Sequence, residues 1–235
     1  QRQMCIRDRV PGTTIRRRTT SIFNGLTIMI RLRPIALLLI FATACGLTDD
    51  ERDETDKYAY VTFSDAAFER FCLERYDTDN DGRVSRYEAR AVATMDCAGL
   101  DIRSLNGIEA FVNLRALDCS DNLLDRLDVT RCIRLERLDC GGNVLASLDV
   151  RGLRQLASLL CMGNDLRILD LTDNVSLSRF NGSDNDFRLL NLSTCATRIE
   201  LLRTTGNPSL TVIYLRADQQ VSEQAIDGWT RISIL

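Results

Sequence analysis

The chain has 235 residues, 45% hydrophobic and 27% charged, with a formal net charge of −3 and no histidine. This is globular composition with length for one or two domains, which argues against wholesale disorder. The missing histidine excludes Ser-His-Asp and Cys-His nucleophile systems and every histidine-bound metal site. Lys57 is the only lysine, so most lysine chemistry is excluded too. The first 44 residues carry eight arginines and one aspartate, so 22 basic and 32 acidic residues follow, a net of −10. That balance gives no basic footprint, and no nucleic-acid partner is expected.

Along the chain, residues 1–28 read as an upstream, non-native segment, because Met29 opens a targeting pattern. Arg31 and Arg33 precede an apolar run from Ile35 that ends in small residues at Ala44, the layout of a secretory signal peptide over 29–44. That run is too short to span a bilayer, which takes roughly 20 apolar residues. Ala42-Thr43-Ala44-Cys45 resembles the bacterial lipobox. The resemblance implies acylation of Cys45 and a membrane anchor there; the alternative is an ordinary cleavage site beside an incidental cysteine. Residues 45–60 read as an acidic tether, in which Asp49, Asp50, Glu51, Asp53, Glu54 and Asp56 favour a solvated, extended chain. Asp49-Asp50-Glu51 also resembles the acidic surface-export signal of Bacteroidota lipoproteins, which is compatible with a tether.

Residues 61–91 are expected to form a single EF-hand cap. Asp77 to Glu88 matches the twelve-residue calcium loop at each diagnostic position. Asp77, Asp79 and Asp81 would offer carboxylates, Arg83 its main-chain carbonyl, Ser85 a side chain or its water, and Glu88 both oxygens. Gly82 permits the sharp turn, because it lacks a Cβ. Phe63, Ala67, Phe68, Phe71 and Leu73 lie on a helix-compatible pattern before the loop, with Ser64 as its expected N-cap. Glu88 to Ala93 opens the exit helix. A lone loop suits a weakly held structural calcium ion, with Kd roughly 10⁻⁴ to 10⁻³ M, more than a sensor.

From residue 92 to 235 the sequence repeats with a period of 21. Leu114, Leu135, Leu156 and Leu177 open successive units; Leu117, Leu138, Leu159 and Phe180 come three residues later. Cys119, Cys140, Cys161 and Gly182 follow, then Asn122, Asn143, Asn164 and Asn185. A further unit uses Ile199, Leu202, Thr204 and Asn207, and a degenerate earlier one uses Val92, Met95, Cys97, Ile102 and Leu105. Leu-x-x-Leu-x-Cys-x-x-Asn-x-Leu is the leucine-rich-repeat pattern. One such unit cannot bury its leucines alone, whereas stacked units share a core. The expected fold is therefore α/β: a leucine-rich-repeat solenoid of short parallel strands with a small helical cap. Trp229, Ile232 and Ile234 repeat the opening spacing and are expected to close the far end.

Residues 61–235 resemble the EF-hand-capped leucine-rich-repeat lipoproteins of Bacteroidota. The resemblance rests on Leu105 to Phe111, Leu117 to Asn122 and Asn207 to Leu215. It implies a surface-exposed, non-catalytic interaction domain on the outer membrane. Gly182 and Thr204 depart from the cysteine column, so the later units should pack differently.

Cys97, Cys119, Cys140 and Cys161 fall in one inward column, where free cysteine acts as a small hydrophobe rather than a disulfide or zinc ligand. Cys132 and Cys195 share a second position three units apart, roughly 14 Å at about 4.8 Å per unit, beyond disulfide reach. Outward strand positions should line a concave face. There Leu160 and Met162 form an apolar centre, with Arg137, Asp139, Arg179, Asn181 and Arg203 around it. Such a face suits a protein or glycan partner; ordinary drift on a solvated face is the alternative. Asp128, Asp149, Asp170 and Asn191 stack at another position, bonded to local turn amides or lining a second cation row. The leading expectation is a monomeric, membrane-anchored binding module, with a carboxylate hydrolase or a purely structural envelope protein as alternatives.

Overall fold

The computed structural model describes residues 57–235. The expected signal peptide, the lipidation site Cys45 and the tether as far as residue 56 lie outside the described residues.

Each unit contributes a short extended segment whose middle apolar residue points inward, as the two-residue period of a strand requires. In chain order the strands are β1 (Thr94–Asp96), β2 (Ala116–Asp118), β3 (Arg137–Asp139), β4 (Ser158–Leu160) and β5 (Arg179–Asn181). They continue with β6 (Leu189–Asn191), β7 (Arg198–Arg203), β8 (Val212–Leu215), β9 (Gln220–Ala225) and β10 (Arg231–Ile234). Seven of them form one parallel sheet in the order β1-β2-β3-β4-β5-β7-β9. Its register sets Met95, Leu117, Leu138, Leu159, Phe180 and Leu202 side by side. A second parallel sheet, β10-β8-β6, lines another side of the coil. The described residues thus form a parallel-strand solenoid of stacked coils, the leucine-rich-repeat fold.

The core follows the repeat columns. Leu114, Leu135 and Leu156 are 0% exposed, and Leu117, Leu138 and Leu159 no more than 2%. The cysteine column Cys97, Cys119, Cys140 and Cys161 is buried and free of disulfides. The Cys97 and Cys119 thiols each donate to a main-chain carbonyl of the next coil, Asp118 O and Asp139 O, at 3.4 Å. Burial pushes the Cys97 and Cys161 thiols up to about 12. Where Gly182 interrupts the column, aromatic rings take up the volume. A Cβ there would lie 2.7 Å from the Phe180 ring and 2.9 Å from the Phe187 ring. Thr204, one coil later, is fully buried and its hydroxyl has no hydrogen-bond partner.

The asparagine column joins each coil to the one before. Asn143 Nδ2 donates to Cys119 O at 3.0 Å and to Cys140 O at 3.1 Å, while its Oδ1 accepts from Leu124 N at 3.0 Å. Asn122, Asn164, Asn185 and Asn207 repeat the arrangement, accepting from Ile102 N, Leu145 N, Leu166 N and Phe187 N. Burying these amides is tolerable because every bond is made. Asn174 breaks the pattern of another column. It follows Phe111, Cys132 and Leu153, donates to Val150 O and Leu153 O, and leaves its buried Oδ1 unpartnered.

The N-terminal end is covered by a helix–loop–helix. Helix α1 (Ala66–Tyr76) and helix α2 (Arg86–Ala91) flank the aspartate loop. Phe68, Phe71, Cys72, Val84 and Ala89 join the same buried cluster as Ile108 and Phe111, and the Tyr76 and Phe111 rings meet edge-on at 5.7 Å.

Four expectations need correction here. The N-cap of α1 is Asp65, not Ser64: the Asp65 carboxylate accepts from Ala67 N and Phe68 N. The Ser64 hydroxyl bonds Ser104 instead. The exit helix starts at Arg86 and ends at Ala91, because Ser85 and Glu88 form a capping box at its start. The last residues of the expected tether are structured: Tyr60 bridges Ser85 antiparallel, Val61 N donates to Val84 O and Arg86 N to Ala59 O. At the C-terminal end, β9 supplies the seventh strand of the main sheet, with Gln224 beside Leu202. Ile232 pairs with Ile213 in the second sheet, and Trp229 is 60% exposed, so these residues do not extend the leucine column.

Asn143→Ala should cost roughly 3 kcal/mol, since it strands a buried N–H and buried carbonyls at about 1–3 kcal/mol each. Urea denaturation measures this, and an unchanged midpoint would contradict the role given to the side chain. The buried thiols set an alkaline limit. Their folded values stand above the ordinary 9.0, at about 12 for Cys97 and Cys161. That contribution is complete below the unfolded value and lost as pH rises through the folded one. The urea midpoint should hold to about pH 8 and fall from about pH 9 upward. A midpoint level through pH 11 would contradict it.

Candidate functional site

The outward positions of the seven-stranded sheet form rows set by the register. One row runs Asp96, Asp118, Asp139, Leu160, Asn181, Arg203, and the next Thr94, Ala116, Arg137, Ser158, Arg179, Leu201. Several polar members are held by their own strand. Asp118 Oδ1 accepts from Ser120 N at 3.0 Å and from its hydroxyl at 2.6 Å. Asp139 Oδ1 accepts from Gly141 N at 3.0 Å, and Asn181 Oδ1 from Ser183 N at 3.2 Å. Burial raises the Asp139 carboxyl above the ordinary aspartate value; the Gly141 N–H works against this, and the charges of Asp118 and Asp121 reinforce it. Asp96 belongs to the acidic row although it is not among the expected contact residues. The 22-residue shift that aligns Met95 with Leu117 also aligns Asp96 with Asp118.

Of the expected contact residues, the structure gathers Arg137, Asp139 and Leu160 around one shallow depression of about 330 Å³, with Asp96 and Asp118 at its other side. Arg137 makes no ion pair among the described residues. Arg179, Asn181 and Arg203 lie on later coils, outside this depression. Arg179 pairs with Glu200 at 3.5 Å and Arg203 with Glu223, so two of the expected arginine anchors already have partners. Met162 is half-buried and folds over Gly141: a Cβ at Gly141 would sit 2.9 Å from the Met162 sulfur. Its apolar surface is partly occupied by its own neighbour.

The second acidic column resolves into turn bonds. Asp128 accepts from Thr130 N and Oγ1, Asp170 from Thr172 N and Oγ1, and Asn191 from Ser193 N. The Arg151 guanidinium and main-chain N–H bond Asp149 and hold its carboxyl down at about 2.

The aspartate loop is arranged by backbone donors. Asp77 Oδ2 accepts from Gly82 N at 3.0 Å, Asp81 Oδ1 from Arg83 N at 2.8 Å, and Asp81 Oδ2 from the Tyr60 hydroxyl at 2.9 Å. Asn80 and Gly82 take positive φ, 58° and 83°, which turn the chain around the centre. Asp77, Asp79 and Asp81 each bring a carboxylate oxygen within 4.8 Å of the others. A hard cation taking six to eight oxygens fits such donors. Glu88 stands apart from this trio: Oε1 accepts from Thr78 N and Oγ1, and Oε2 from Ser85 N and Oγ. Burial alone would raise the Glu88 carboxyl, but these donors outweigh it and hold it below the ordinary glutamate value. Ser85 likewise serves the helix start, a role legible in Ser85-x-x-Glu88.

Among the described residues no helix is long and apolar enough to cross a membrane. No family model and no curated protein matches the sequence. Solved structures do. The functional domain of InlJ from Listeria monocytogenes, which includes a cysteine ladder, is 24% identical with a TM-score of 0.50, over 65% of this chain and 34% of that one. The internalin InlF from Listeria monocytogenes is 18% identical with a TM-score of 0.52, over 73% of this chain and 55% of that one. The chain thus spans about a third of the first protein's length and just over half of the second's. The likeness lies in the fold, the parallel-strand solenoid of leucine-rich repeats.

Proposed function

We propose that the chain is a non-catalytic, protein-binding leucine-rich-repeat module. In this reading it stands outside the cell on a lipid anchor at Cys45, as in the Bacteroidota lipoproteins its sequence resembles. A structural calcium ion in the Asp77–Glu88 loop stiffens its EF-hand cap. The observation that carries the binding role is the depression on the concave face, where half-exposed Leu160 and unpaired Arg137 face an acidic row on a rigid sheet. Apolar surface beside a free arginine is what a protein partner's hot spot engages. The internalin-like fold supports the same reading by analogy. A carboxylate-dependent hydrolase would need a free acid and a free base here. Asp118 and Asp139 are each tied to their own strand, which favours binding over turnover.

Two measurements test the proposal. Replacing Leu160 and Arg137 together (Leu160→Asp, Arg137→Glu) should weaken capture of a surface protein partner at least about tenfold, a loss of about 1.4 kcal/mol. Ile168→Asp, at an exposed position outside both sheets, should not weaken it. Equal capture by the face variant would reject the concave surface as the contact. For the loop, about 10 mM calcium against a Kd of roughly 10⁻⁴ to 10⁻³ M should stabilise the fold by about 1.4–2.7 kcal/mol. A melting temperature that does not move between calcium and chelator would reject the ion, as would an equal response in Asp77→Ala.

A further inference from the structure

The aspartate loop stands alone: the sequence holds no second loop of its pattern. Its backbone partner is instead the segment by which the chain enters the fold. Tyr60 bridges Ser85 antiparallel, Val61 N donates to Val84 O at 2.8 Å, and Arg86 N donates to Ala59 O at 2.7 Å. These bonds run along the second half of the loop, up to the start of α2. The other side of the segment presses on the solenoid. A Cβ at Gly107 would lie 3.0 Å from Val61 Cγ1 and from Phe63 Cδ1, and 3.1 Å from Thr62 O. Phe63 also meets Phe68 of α1 edge-on at 5.3 Å. The segment is therefore wedged between the loop and the turn that precedes the first full repeat.

Tyr60 joins this segment to the aspartates themselves. Its hydroxyl donates to Asp81 Oδ2 at 2.9 Å, and the Arg83 guanidinium sits 4.8 Å from its ring centre. Within the loop, Asp81 Oδ1 accepts from Arg83 N at 2.8 Å, and Asp81 N reaches Asp77 Oδ1 and Asp79 Oδ1, each at 3.2 Å. Asp81 is thus held at both oxygens, at one by the loop and at the other by the entering segment. Without the Tyr60 hydroxyl its carboxylate gains freedom to rotate, and an arriving ion has to fix it again. Holding a ligand group in place beforehand lowers that cost. Outer groups that orient metal ligands act this way, and losing one typically costs about 10–100-fold in metal affinity. Tyr60 is 37% exposed, so water replaces part of the lost bond and the expected loss is smaller. The Arg83 cation attracts the ring face, which keeps the ring against the loop even when the hydroxyl is removed.

Building on the calcium reading of the loop, we propose that residues 59–63 complete the ion site in place of a second loop. Tyr60 is a positioning residue: it orients Asp81 and is not itself a ligand. Calcium occupancy and docking of the entering segment are then one coupled equilibrium, because each favours the arrangement the other needs. The ion clamps the chain at the point where it enters the domain.

A calcium titration of the full isotope-labelled chain by NMR, starting from chelator-stripped protein, tests this. The Gly82 amide reports occupancy, and hydrogen exchange at Val61 and Arg86 reports docking of the segment. Tyr60→Phe keeps the ring and removes only the hydroxyl. It should weaken calcium binding about three- to tenfold. Calcium should slow exchange at Val61 and Arg86 in the wild type, and slow it less in Tyr60→Phe. Tyr214→Phe, on β8, should leave the affinity unchanged. A tyrosine that serves the fold alone would, when replaced, lower the melting temperature equally in calcium and in chelator, at unchanged calcium affinity. That result would overturn the proposal, as would exchange at Val61 and Arg86 that ignores calcium. No response of Gly82 in the wild type would reject the ion and this proposal with it. Equal affinity in Tyr60→Phe would reject the proposal alone and leave the ion standing.

Discussion

The buried asparagine of each repeat is the interaction on which the rest of the solenoid depends. Leucines alone would let neighbouring coils slide, because hydrophobic attraction has no direction. The amide supplies direction: it accepts from the preceding coil's bend and donates to carbonyls of both coils. A one-residue slip would break those bonds and turn the leucines outward. Register is therefore fixed coil by coil, by nearest-neighbour contacts, as in other one-dimensional folds. The cysteine column fits the same geometry, because a small apolar side chain fills the space beside the asparagine without competing for its carbonyls.

A stack fixed this way has free outward positions and vulnerable ends. Outward positions carry no packing duty, so Leu160, Arg137 and the acidic row could vary toward a partner. The ends expose strand edges and leucines. At the N-terminal end the helix–loop–helix covers them. Its loop gains a strand partner from the chain's own entering segment, Val61 against Val84, where paired loops use each other. Tyr60 binds that segment to the loop through Asp81. At the other end β9 is the last strand of the main sheet and β10 an edge strand of the second, with Trp229, Ile234 and Leu235 exposed.

The repeat columns were legible in the sequence because each has one physical job in every coil. Leu117, Cys119 and Asn122 recur where burial and amide bonding recur, and the structure places them so. Legibility failed where a residue's role depends on contacts that no repeat records. Ile232 has the spacing of a core leucine, yet the second sheet claims it, and polar Gln224 takes the strand position beside Leu202. Asp65 displaces Ser64 as cap because its second oxygen also reaches Arg103 N. Met162 reads as exposed, yet the missing side chain at Gly141 gives it a seat. The aspartates of the loop converge as their spacing implies, while Glu88 turns to Thr78 and Ser85, a competition that spacing cannot rank.

The central claim is that the coils are locked to each other by the asparagine amides and open together. Native-state hydrogen exchange at Ile102, Leu124, Leu145, Leu166 and Phe187, the amides these side chains hold, tests it most directly. The account gives all five a common protection close to the free energy of global unfolding. Widely different values, or exchange of the middle three at the rate of surface amides, would contradict it.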